Sequence, residues 1–139
     1  MNHDKTVVMV ARALMAAIFI VSGLRKLFSW SFTLGYFQKL GLPLAELVLP
    51  LAIALEIGGG LLLLVGWRLR PVSLALAAFT LAAGFVGHAF WAVDAAQFTP
   101  QLNNFMKNVA MAGGFLLLFV LAGQMGRGGA SRSADTTAG

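Results

Sequence analysis

Cysteine is absent from this chain of 139 residues. That excludes disulfides, thiolate nucleophiles, redox-active thiol relays and thiolate-bound metals within it. Charge is scarce too: 11% of residues are Asp, Glu, Lys or Arg, where a soluble domain carries about a quarter. The two histidines, His3 and His88, lie far apart, and no His/Asp/Glu group has the spacing of a metal site. No Ser-His-acid arrangement offers a catalytic nucleophile. The glycine clusters Gly58-Gly59-Gly60 and Gly113-Gly114 fall inside apolar runs and not after a strand, so they do not form a phosphate cradle. They fit close helix approach instead.

What remains is strongly apolar, with 59% hydrophobic residues and a mean hydropathy of +0.84. Four apolar runs stand out, at roughly residues 7–28, 47–66, 72–93 and 105–122. Each approaches the roughly 20 residues a helix needs to cross the hydrocarbon core. Backbone groups in lipid must bond internally, so all four runs read as helices. The fold class is therefore an all-α membrane protein, a bundle of four transmembrane helices. The chain is too short for two ordinary domains. Residues 1–125 form that one domain, and the Gly-, Ala-, Ser- and Thr-rich segment 126–139 reads as a disordered tail.

The breaks between the runs have suitable chemistry. Gly41-Leu42-Pro43 turns the chain before the second run, and Arg68-Leu69-Arg70-Pro71 is a short basic turn before the third. Residues 97–104, containing Pro100, are expected to separate the third and fourth. Between the first two, Phe32, Leu34, Tyr36, Phe37 and Leu40 alternate with polar residues, as a short interfacial helix requires. The first run also has features of a signal peptide, but Arg25-Lys26 follows it directly and Trp30 sits in the small-residue site, which favours a retained helix. Trp30, Trp67 and Trp91 fall near helix ends, in the manner of an interfacial belt.

The net charge of +5 and pI near 10.5 come from bases placed mostly at the ends of apolar runs. There they meet lipid head groups and not nucleic acid. Four spans put both termini and the Arg68–Arg70 turn on one side. The short turn and the bases Lys5, Arg68, Arg70, Arg127 and Arg132 favour that side as cytoplasmic.

A few polar residues lie within the apolar runs. Glu56 sits at the centre of the second, where an ionised carboxylate costs roughly 2.5–3.5 kcal/mol even on insertion scales. From the helical rise, Arg12 lies roughly 8–9 Å and Glu56 about 15 Å from the same side, so an Arg12–Glu56 ion pair is expected. Its role is either to hold the helices in register or to relay protons. A second group, Lys26, His88, Lys107 and Asn108, falls in the opposite third of the bilayer and forms a candidate polar pocket. Lys26 and Arg12 lie about 40° apart on a helical wheel, and Asn104, Lys107 and Asn108 share one face. Plainer roles stand beside this one: Lys26 and Lys107 snorkelling to head groups, Asn108 clamping two helices, His88 satisfied by packing.

Taken in order, several of these pieces resemble the DoxX family of small bacterial inner-membrane proteins. They are Arg12, then Ser22-Gly23-Leu24-Arg25-Lys26-Leu27, then Gly41-Leu42-Pro43 and Leu55-Glu56-Ile57-Gly58-Gly59-Gly60-Leu61. His88-Ala89-Phe90-Trp91 and Phe105-Met106-Lys107-Asn108 complete the pattern. The resemblance implies a four-helix inner-membrane domain and an accessory or quinone-contacting subunit of a membrane redox or oxidative-stress system. The chain carries no cofactor motif, so it reads as no enzyme on its own. Redox chemistry would require bound quinone or a partner subunit. The outer cluster of Lys26, His88, Lys107 and Asn108 then offers hydrogen bonds to a quinone carbonyl. Two other classes fit the same residues: a non-enzymatic membrane scaffold, and a small-molecule or proton transporter built on Glu56, Arg12 and His88.

Overall fold

The computed structural model describes the backbone of residues 3–136 and the side chains of residues 3–125. The tail expected to be disordered, 126–139, lies outside the fully described residues. Among those described, the order is α1 (His3–Phe28), α2 (Trp30–Lys39), α3 (Ala45–Val65), α4 (Leu69–Gly87), a 3-10 turn (Phe90–Ala92) and α5 (Ala95–Thr136). Four stretches are long and apolar enough to span a bilayer: His3–Phe28, Ala45–Val65, Leu69–Ala92 and Ala95–Met125. The four-helix membrane bundle follows as expected, and α2 is the short helix between the first two spans.

The turns follow from local chemistry. α3 closes at Gly66, whose φ of 84° puts it in the left-handed region that glycine enters without a Cβ penalty. The N–H groups of Gly66 and Trp67 both donate to Leu62 O there, at 2.9 and 3.0 Å. One expectation fails. Residues 97–104 do not separate α4 from α5; the break is earlier, at 88–94, and α5 runs straight through Pro100. Asp94 is the reason, because its Oδ1 accepts from Gln97 N–H at 3.0 Å and caps the new helix. Pro100 then lies within α5, where transmembrane helices tolerate the lost backbone bond. Phe85, Phe90, Phe98 and Phe105 meet edge to face around this corner, at centroid distances of 5.1–5.8 Å. Such pairs are worth about 0.5–1.5 kcal/mol each beyond area burial.

Packing is pairwise: α1 lies on α3, and α4 lies on α5, with lighter contact between α3 and α4. Small residues set the approach of the first pair. A Cβ on Gly60 would stand 2.8 Å from Ile20, and one on Gly23 would stand 2.6 Å from Ile57. Ala16, Phe19, Leu63, Leu76, Phe115 and Leu118 join the two pairs in one core. Phe19 meets Phe115 edge to face at 5.4 Å. The outer surface is apolar, with Leu14, Val65 and Leu117 more than two-thirds exposed. In water such a surface would associate. In a bilayer it faces its solvent.

Candidate functional site: an intramembrane polar cleft

Glu56 is almost wholly buried on α3, and its cation is Lys26 of α1. Lys26 Nζ donates to both carboxylate oxygens, at 2.7 and 2.9 Å. The expected Arg12–Glu56 pair does not form. Arg12 instead donates through Nε to Leu63 O at 3.0 Å and through Nη2 to Leu64 O at 2.8 Å. The cause is the direction in which helical side chains lean. Every Cα–Cβ bond tilts toward the N-terminus of its helix. In the antiparallel α1–α3 pair, Lys26 therefore leans inward and Glu56 leans toward it, while Arg12 leans away. Arg12 thus reaches the last carbonyls of α3, which lack intrahelical donors and carry the negative end of the helix dipole.

Beyond the ion pair, the two helix pairs enclose a cleft of about 380 Å³ walled by α1, α4 and α5. It brings together all four residues of the candidate pocket: Lys26, His88, Lys107 and Asn108. Glu56 joins them and Arg12 does not. His88 ends α4, where its Nδ1 meets Gln101 Oε1 of α5 at 2.9 Å. Asn108 lies against Gly84, within 3.3 Å of where a Cβ would stand, so it also closes the α4–α5 contact.

Arg25 and Thr80 also line the wall, and neither belongs to the pocket expected from the sequence. Arg25 adds a second cation beside Lys107, and Lys26–Glu56 is the one ion pair among the described residues. Thr80 is 2% exposed, and its hydroxyl has no hydrogen-bond partner among the described residues. Such an orphan costs about 1–3 kcal/mol. A signal was available in the sequence, since Thr80 is the lone polar residue between Ser73 and His88. The cleft is rich in donors, and its single carboxylate is already engaged by Lys26. That arrangement suits a ligand that accepts hydrogen bonds. No group of three His, Asp or Glu able to hold a metal occurs among the described residues.

A second cavity, of about 390 Å³, adjoins the first beneath α2. Lys26, Glu56, Phe79, Ala83 and His88 line both. The rest of its wall is mostly apolar: Phe37 of α2 and Leu40 just after it, Leu42, Val48 and Ala52 near the start of α3, and Val86 of α4. Tyr36 Oη donates to Gly87 O at 3.2 Å and ties α2 to the end of α4.

Four apolar spans around a buried ion pair and a polar cleft define a multi-pass α-helical membrane protein. The chain belongs to the DoxX family, whose model matches residues 7–89. That stretch contains Arg12, Lys26, Glu56 and His88, whereas Lys107 and Asn108 lie beyond it on α5. Inner membrane protein YqjF of Escherichia coli is 40% identical over 115 residues, covering 81% of this chain and 82% of the relative. Inner membrane protein YphA of the same organism is 32% identical over 112 residues, covering 81% of this chain and 80% of the relative. No solved structure matches the chain.

Proposed function

We propose that this protein is a bacterial inner-membrane, quinone-contacting accessory subunit of a membrane redox or oxidative-stress system, without catalytic activity on its own. The observation that carries this reading is the cleft: Lys26, His88, Lys107 and Asn108 meet in one space beside Glu56. A quinone ring presents two carbonyl acceptors, and this wall supplies several donors with one engaged carboxylate. The inner-membrane setting accords with the names of the two Escherichia coli relatives. Partner subunits would supply electrons; this chain would bind and orient the ring. The bases of the α3–α4 turn support cytoplasmic termini.

The test is extraction and mass spectrometry of lipids bound to the purified protein, with quinone titration followed by Trp fluorescence. Quinone is expected to co-purify and to quench, and His88→Ala and Lys107→Ala should weaken both effects. If none co-purifies and added quinone leaves the wild-type fluorescence unchanged, the reading fails.

A further inference from the structure

We infer that the ligand site has two parts, a polar lobe for an acceptor-bearing head and an apolar lobe beneath α2 for the chain attached to it. This rests on the quinone reading and adds what that reading leaves open: where an isoprenoid or alkyl chain goes. The juxtaposition carries the argument. The polar cleft and the α2 cavity share the wall of Lys26, Glu56, Phe79, Ala83 and His88, so an occupant of one touches the boundary of the other. The two lobes have opposite chemistry. Arg25, Thr80, Lys107 and Asn108 belong only to the first, whereas Phe37, Leu40, Val48 and Val86 belong only to the second.

A free polar solute has no use for the second lobe, and a plain hydrocarbon has none for the first. One molecule with an acceptor head and an apolar chain uses both. The lobes, about 380 and 390 Å³, each have room for a part of such a ligand. α2 is the roof of the chain lobe, and the Tyr36–Gly87 hydrogen bond holds its place. The bilayer is itself apolar, so the chain gains little from leaving water. What the lobe adds is packing and a fixed path, which makes the head–chain combination selective.

The experiment compares a tail-less methoxylated benzoquinone with its decyl-substituted counterpart, titrated into the full chain in nanodiscs. Wild type is compared with Val48→Phe and Ala82→Phe, two positions that line only the chain lobe. Because every protein is measured in the same lipid, partitioning of the decyl compound into the bilayer cancels. The expected result is unchanged binding of the tail-less quinone in both variants, which also reports an intact fold. The decyl compound should bind about tenfold more weakly to them than to wild type, as overfilling a packed space does. Equal loss of both probes in both variants would overturn the division into lobes. So would decyl binding that matches wild type in both variants, since the chain would then lie in the bilayer. If neither probe binds wild type, the quinone reading itself falls and takes this inference with it.

Discussion

Lys26 and Glu56 lean toward each other across two antiparallel helices, and that inclination decides which cation the carboxylate receives. Both of its oxygens are engaged by one ammonium in a site that is nearly closed to solvent. Removing one partner strands the other, so Lys26→Met is expected to cost about 3–5 kcal/mol. The double change Lys26→Met with Glu56→Leu removes both charges and should recover much of that loss. Thermal melting in detergent checks this, and a double variant no more stable than Lys26→Met would contradict the ion-pair account. At the other end of α1, Arg12 is a fork holding two terminal carbonyls. Gly66 lies under it, with a Cβ position 2.5 Å from the guanidinium and a φ of 84°. Gly66→Ala therefore suffers both left-handed strain, about 1–2 kcal/mol, and displacement of Arg12. Arg12→Lys should lower the melting temperature as well, because a single ammonium does not reproduce the fork.

At the scale of helices, the glycines of α3 differ by the face on which they lie. Gly60 packs against α1, where an added Cβ would meet Ile20 at 2.8 Å and the Ala16 carbonyl oxygen at 3.3 Å. Gly58 has nothing within 4 Å. Gly60→Ala should push α1 and α3 apart at a cost of about 1–3 kcal/mol. Gly58→Ala should be neutral or stabilising by up to about 1 kcal/mol, since alanine is the better helix former. Melting of the two variants side by side separates interface packing from helix propensity, and equal losses would refute the assignment of faces. The run Gly58-Gly59-Gly60 marks close approach somewhere on α3, but not which glycine makes it. The start of α5 is hidden in the sequence for a related reason: Pro100 is a helix breaker by type, while Asp94, six residues earlier, holds the cap.

For the whole molecule, two helix pairs meet through Phe19 and Phe115 and part around the cleft. Four spans place the start of α1 and the end of the last span on the same side of the membrane. Fusions of a fluorescent reporter to each end should both glow in the cytoplasm, and a phosphatase reporter inserted at 88–94 should be active outside. Reporters giving opposite sides for the two ends would refute four spans.

Hydropathy is a local property of composition. The sequence by itself therefore determined the four spans, the short helix before the second, the aromatic residues at the ends and the presence of a polar cluster. It also placed Lys26, His88, Lys107 and Asn108 at one level, because depth follows from counting residues along a helix. Only the tertiary structure decided the partner of Glu56, the role of Arg12 and the cavity beneath α2. Those depend on which way side chains lean between antiparallel helices and on which faces meet, and neither quantity is carried by position along the chain.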